Sequence, residues 1–320
     1  MSWMADLCTT YDACFKKELS FQPRTKLLPL AHSTQNAQIE IVLGENGVFR
    51  RAEVVPKEDS VTAIPVTEDS INRTSGLAAH PLCDKLEYLA GDFEQFTGKD
   101  NLEKFSAYLE QLQDWVQSDF SCKKLESIYA YIQKKTVMAD LVQAGILQAA
   151  DGRLTNDKLE GFPQQDAFVR FRVEIFLEDE PRVYKDEELQ QKYIDYYTSK
   201  KPEQDLCYAT GRVTACSSKH NAKIRNTADK AKLISSNDSS GFTYRGRFSD
   251  SSQVASIGYE TSQKALHTLR WLVENQGFHC GEQVVVAWEL QGRRIPDFNR
   301  DTADTLLPLE DTKVSTAVEY

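Results

Sequence analysis

Cations and short polar side chains are crowded together in "KHNAKIRNTADKAKLISSNDSSGFTYRGRF", which begins at Lys219. Lys219, Lys223, Arg225, Lys230 and Lys232 have the charge to hold phosphates. Asn226, Ser236 and Asn237 are short donors and acceptors suited to base edges or backbone oxygens. Arg245 and Arg247 follow among Phe242, Tyr244 and Phe248, between Gly241 and Gly246, a mixture able to approach a sugar-phosphate backbone or stack on bases. The competing readings are a solvated loop for the first half and a strand burying the aromatic side chains for the second.

The concentration matters because the 320-residue chain is acidic, with a net charge of -10. Residues 212–247 hold eight cations against Asp229 and Asp238, a local +6, so the remainder carries -16. An acidic protein with one cationic stretch is suited to meeting a polyanion at that stretch alone.

Other chemistry is less complete. Asn72, Arg73, Thr74 and Ser75, followed by Gly76, form a hydrogen-bonding loop ahead of an expected helix. Such a loop holds a phosphate or simply turns the chain, with Arg73 in a surface ion pair. Cys207, Cys216 and His220 are spaced C-x8-C-x3-H, three potential metal ligands without the second close cysteine pair of a zinc site. His279 and Cys280 are adjacent, which on a strand sends them to opposite faces and disfavours a cysteine nucleophile with its base. Glu174, Glu178 and Asp179 offer carboxylates for a divalent ion, though such runs are commonly solvated. No phosphate-binding Gly-Lys loop, dinucleotide fingerprint or nucleophile elbow occurs. The expectation is therefore a binding protein, not an enzyme, with no cofactor and no metal.

Seven cysteines without a paired framework fit reduced thiols, and the N-terminus lacks the pattern of an export signal. No apolar run approaches the roughly 20 residues that span a bilayer. A cytoplasmic protein with no membrane partner is expected.

The elements that must position these residues are mixed. "AQIEIVL", the turn "GENG" and "VFRRAEVV" predict a β-hairpin, with "SVTAIPV" a further strand. "DNLEKFSAYLEQLQDWV" predicts a helix with Leu102, Phe105, Leu109, Leu112 and Trp115 or Val116 inward and Asp100 with Glu103 as a capping box. A second amphipathic segment runs from Leu125 to Val142, stopping near Gly145, to make a helical hairpin. "AFVRFRVEIFL" alternates, predicting a half-buried strand with Arg170, Arg172 and Glu174 on its open face. The charged stretch 178–205 predicts an exposed helix and a boundary between 1–200 and 201–320, unless the whole is one domain. Beyond it come two short strands in "LCYATGRVTACS", a helix in "YETSQKALHTLRWLVENQG" and a buried strand in "EQVVVAWEL". The class is α+β: an N-terminal β-hairpin region, a central helical hairpin and a C-terminal mixed α/β part.

The stretches "IPVTEDSINRTSGLAAHPLCDKLEYLAGDF", "LCYATG", "KAKLISSNDSSGFTYRGRF" and "QKALHTLRWLVENQGFHCGEQVVVAWE" together resemble the large subunit of type I-C CRISPR interference complexes (Cascade). The likeness covers 61–93 and 206–297 well, the N-terminal hairpin in outline, and 150–200 loosely. Members of that family are longer, with a C-terminal helical region, so the chain is expected to be an N-terminal portion. The resemblance implies a ribonucleoprotein subunit that contacts the 5′ handle of a guide RNA and recognises the protospacer-adjacent motif on double-stranded target DNA. Base pairing then reads the rest of the target. It also implies partners: the guide-processing and backbone subunits of the complex and a separate helicase-nuclease. Two other readings compete with it, a metal-dependent nuclease built on the carboxylates above and a protein-interaction scaffold whose basic segment docks an acidic partner.

Overall fold

Helix α1 (Trp3–Cys14) starts directly after Ser2, whose hydroxyl accepts from the Met4 amide and so satisfies one of the donors a helix start leaves open. The structure, a computed structural model, describes residues 2–19, 22–73, 76–201, 204–225, 229, 231–236, 238, 240–293 and 295. It divides into two units, Ala31–Lys201 on one side and Met1–Leu30 with Pro202–Tyr320 on the other. The first thirty residues therefore belong with the C-terminal part, although the sequence groups them with 1–200.

In the Ala31–Lys201 unit, β1 (His32–Asn36), β2 (Ile39–Gly44), β3 (Val48–Val54) and β4 (Val61–Pro65) form in succession. β2 and β3 make the expected antiparallel hairpin, whereas β4 pairs with β1 instead of extending it. The hairpin tip carries Gly47 at φ +67°, where a Cβ would lie 2.5 Å from the Ser127 carbonyl oxygen and 2.6 Å from the Tyr131 amide nitrogen. Only glycine allows that backbone to press on a helix so closely.

Short helices α2 (Leu86–Leu89) and α3 (Phe93–Thr97) lead to α4 (Leu102–Val116), α5 (Lys123–Ile132) and α6 (Val137–Gln143). Phe105, Leu112 and Trp115 of α4 are buried as their spacing predicts, but Leu102 is exposed and Tyr108 takes an inward place. The capping box is displaced: Asn101 is the cap residue, and Asp100 accepts from the Leu102 amide at 2.9 Å. The second helix of the expected hairpin is two helices, broken where Lys135 takes φ +55°. Two minimal hairpins follow, β5 (Ala149–Ala150) with β6 (Arg153–Leu154) and β7 (Lys158–Leu159) with β8 (Phe162–Pro163).

β9 (Val169–Glu174) then lies parallel to β2, completing the sheet order β3-β2-β9. The half-buried expectation for β9 fails at Arg170, which is 7% exposed. Its register partner Glu40 accepts from Arg170 Nε at 2.7 Å, so the face expected to meet solvent is covered by an internal ion pair. α7 (Glu187–Ser199) begins at Asp186, whose carboxylate caps the Glu188 and Leu189 amides. It is less exposed than its charge suggests, because Tyr193 and Tyr196 pack on Trp115, with ring centroids 4.9 and 5.7 Å away. Each such buried aromatic side chain contributes about 2–3 kcal/mol.

In the other unit, α1 packs against α8 (Tyr259–Gln276) through Met4, Leu7, Cys14, Ala265, Trp271 and Leu272. The Trp271 indole donates to the Thr25 carbonyl oxygen at 2.9 Å. β10 (Gln204–Leu206) and β11 (Val213–Ala215) pair antiparallel, as do β12 (Phe278–Cys280) and β13 (Gln283–Val285). "EQVVVAWEL" is thus paired for three residues only and partly exposed, not a buried strand. The architecture is mixed α+β with small separate sheets. No helix among the described residues is long and apolar enough to cross a membrane.

Candidate nucleic-acid interface

Between β11 and α8 the described residues form no helix or paired strand, and several polar side chains there are held by local hydrogen bonds. Asp238 organises one loop: its carboxylate accepts from the Ser240 and Gly241 amides at 3.0 Å each and from the Thr243 hydroxyl at 2.7 Å. These donors hold the Asp238 carboxyl far below the ordinary carboxylate range. The loop turns Phe242 (φ +51°) and Tyr244 (φ +63°) outward, Tyr244 being 78% exposed. No strand buries these aromatic rings.

Arg245 departs from its expected place on the surface. Its Nε donates to the Ser236 carbonyl oxygen at 2.8 Å, its Nη1 donates to the Ser249 carbonyl oxygen, and the guanidinium stacks on Phe242. It is a buried clamp between two loops, while its neighbour Arg247 is exposed beside Phe248.

Those clamped loops form walls of a cavity of about 550 Å³. Lys219, Lys232 and Ser236 all line it, so three of the candidate residues come together. Burial and the neighbouring Lys219 charge hold the Lys232 ammonium below its usual pKa. Seven serines line the same space, among them the adjacent pairs Ser217–Ser218, Ser235–Ser236 and Ser251–Ser252, together with Asp205 and Asp250. The repeated Ser-Ser dipeptide is the sequence signal for this lining.

The other cations of the stretch have separate settings. Arg225 is exposed and bonds Asp229 through Nε at 2.9 Å and the Glu282 carbonyl oxygen through Nη1 at 2.9 Å. Lys223 sits at φ +64°, its ammonium held low in pKa by burial and by Arg270. Arg212 is exposed at the start of β11. Asn226, Lys230 and Asn237 lie outside the described residues, as do Thr74 and Ser75.

Cys207, Cys216 and His220 are otherwise engaged. His220 Nδ1 lies 2.7 Å from the Ser262 hydroxyl, and the Cys216 thiol accepts from the Ser256 hydroxyl at 3.3 Å. Among the described residues no group of three or more His, Cys, Asp or Glu side chains is arranged to hold a metal ion.

In the Ala31–Lys201 unit, Arg73 is an internal residue rather than an open donor. It forms a two-point bridge to Asp84, 2.8 Å through Nη1 and 2.7 Å through Nη2, and its Nη1 also donates to the Ala78 carbonyl oxygen. Its guanidinium carbon lies 4.3 Å from the Tyr88 ring centroid, so one face is covered. Asp84, fully buried, also accepts from the His80 and Lys85 amides. Asn72 donates to the Glu68 carbonyl oxygen at 3.1 Å and closes the same loop. The helix ahead, α2, is a single turn. Of the carboxylates considered for a divalent ion, Glu174 pairs with Arg51 and Arg172 and Glu178 with Lys124.

The model of the family described as CRISPR-associated protein (Cas_Csd1) matches residues 7–319 of the chain. No match is found among curated proteins.

Proposed function

The chain belongs to the Cas_Csd1 family, the large subunit of the type I-C CRISPR interference complex, and from that membership we propose that its 212–247 region holds nucleic acid within the complex. The family works alongside other CRISPR-associated subunits. The polymers in this reading are the 5′ handle of the guide RNA and the double-stranded target DNA at its protospacer-adjacent motif. The work is binding and not bond cleavage, carried out in the cytoplasm, and a separate helicase-nuclease is recruited once the target is engaged.

The observation that carries the reading is where the solvent-facing cations stand. In an acidic chain, Arg212, Arg225 and Arg247 are exposed and Lys219, Lys223 and Lys232 are part-exposed, and past β11 the described residues of this stretch are irregular. Irregular backbone suits a winding polyanion, since it sets cations at uneven spacing without a side-chain face to bury. Tyr244 and Phe242 beside them offer ring faces to unpaired bases. Arg73 and Arg245 are left out, because their guanidinium groups are largely buried on internal acceptors, whereas Arg225, though paired with Asp229, is exposed. A single base contact specifies little, so motif choice rests on the few polar side chains that reach base edges while phosphate attraction supplies affinity.

The test is target binding by the complex assembled with its guide, across a library of motifs. Alanine at Arg212, Arg225 and Arg247 together is expected to weaken binding of every motif alike and to flatten its salt dependence. Unchanged affinity and salt slope would remove this region from the nucleic-acid path.

A further inference from the structure

Past the end of β9 the chain makes a turn with an apolar tip. The Glu178 amide donates to the Ile175 carbonyl oxygen at 3.2 Å and closes a four-residue turn with Phe176 and Leu177 at its corners. Leu177 takes φ +68°, a conformation that the second corner of such a turn ordinarily leaves to Gly or Asn. The two side chains are 85% and 86% exposed, more than any other large apolar residue among those described. Leu102 and Val61, the next in this unit, stand singly on a helix and a strand. Both legs of the turn are fixed. The Val173 amide donates to the Pro181 carbonyl oxygen at 2.8 Å, and Ile175 is buried. The buried Lys124 ammonium donates to the Glu180 carbonyl oxygen at 2.8 Å and pairs with Glu178 and Asp186. The fold thus holds a strained corner in place and leaves its apolar side chains in water, where they contribute nothing to the core.

We propose that Phe176 and Leu177 are a docking knob that seats in an apolar socket, rimmed by Lys or Arg, on another protein subunit of the complex. Charge complementarity selects that occupant. Residues 174–188 hold seven carboxylates against Arg182 and Lys185, a local -5. A recess of about 340 Å³ begins at Glu178 and Asp179, directly after the tip, and is lined by five carboxylates against three lysines. Such a field repels the phosphates of RNA, DNA and anionic lipid and attracts a cationic protein surface. A solvated acidic loop needs no aromatic and aliphatic pair at its tip, whereas an interface anchor combines an apolar centre with a charged rim. Family membership places the chain among other CRISPR-associated subunits, which supply such a surface. The assignment does not rest on the nucleic-acid reading, whose cations all lie in the other unit.

The experiment measures the affinity of the full chain for the guide-bound remainder of the complex, assembled without this subunit. F176A with L177A should weaken it at least about thirtyfold, and L102A, an equally simple loss of an exposed leucine, should leave it within about twofold. D179K should weaken it about fivefold at low salt and flatten its salt dependence. L177G separates docking from folding. It relieves the φ of +68°, so the melting temperature of the free chain is unchanged or higher while docking weakens about tenfold. Benzoylphenylalanine placed at 176 should crosslink on illumination to another protein subunit, at apolar residues flanked by Lys or Arg. Affinity of the double variant within about twofold of the unsubstituted chain overturns the proposal, as does a lower melting temperature of L177G. Absence of a crosslink, or one confined to RNA, to this chain's own residues or to a second copy of it, overturns it as well. The R212A, R225A, R247A triple variant should join the complex with unchanged affinity, so loss of docking and loss of target binding can be told apart.

Discussion

Four arginines, two in each unit, meet opposite fates. In the Ala31–Lys201 unit Arg170 is locked to Glu40, donates to the Asp59 carbonyl oxygen and stacks on Tyr184, and Arg73 is locked to Asp84 over Tyr88. In the other unit Arg225 and Arg247 remain exposed, Arg225 with an acid beside it and Arg247 with only a ring. The contrast separates cations that hold a fold together from cations still available to a ligand. Charge counted along a sequence does not make that distinction, whereas the burial of each guanidinium does.

The largest effect should come from cutting an internal pair. Arg170→Ala leaves Glu40 buried without its cation and is expected to lower unfolding stability by about 3–5 kcal/mol in denaturant titration. Replacing both partners, Arg170→Met with Glu40→Leu, should restore most of it. If the single change costs under about 0.5 kcal/mol, Arg170 belongs with the exposed arginines and the contrast collapses.

Next in size is Gly47→Ala in the same unit. The added Cβ meets two backbone atoms of α5 at a φ of +67°, so the hairpin tip or the helix must move. A loss of about 3 kcal/mol is expected, read as a lower melting temperature with target binding retained by the survivors. Arg73→Lys follows at about 1–2 kcal/mol, since an ammonium cannot make the two-point bridge to Asp84. Motif preference should not change; a selective relaxation at one motif position would return Arg73 to the interface.

How much of this could be read beforehand depended on the range of the interactions. The β2–β3 hairpin and α8 follow from local alternation and spacing, and both form where expected. Arg170 sits at an alternating position that reads as solvent face, and its partner Glu40 lies 130 residues away, so nothing nearby signals burial. The break between α5 and α6 falls at Lys135 with neither Gly nor Pro to mark it. "QVVVAWEL" has the composition of a core strand, but pairing ends after three residues. For the interface, cation density marks the region, while the cavity depends on β10 meeting loops from 216–220, 232–236 and 250–256. That convergence is tertiary, and the serine pairs that mark it look like ordinary loop composition.

The smallest effects on stability, and the most telling about the second unit, come from its exposed cations. Arg247→Ala should change unfolding stability by less than about 0.5 kcal/mol, because no acceptor is left behind. It should nonetheless reduce the log-log salt slope of duplex binding by about 1, from a starting value of roughly -4 for four or so phosphates held. Arg225→Ala should do the same to the slope at a slightly higher stability cost, since it also frees Asp229. Lysines give the matching pH test. Burial and the Lys219 charge already depress the Lys232 pKa, so the protonated form is disfavoured until an anion arrives. Any phosphate contact made by Lys232 should therefore take up protons and weaken as pH rises, beginning below the 10.5 of an ordinary lysine. Arginine contacts at 225 and 247 keep their charge over that range, so duplex binding should decline far less.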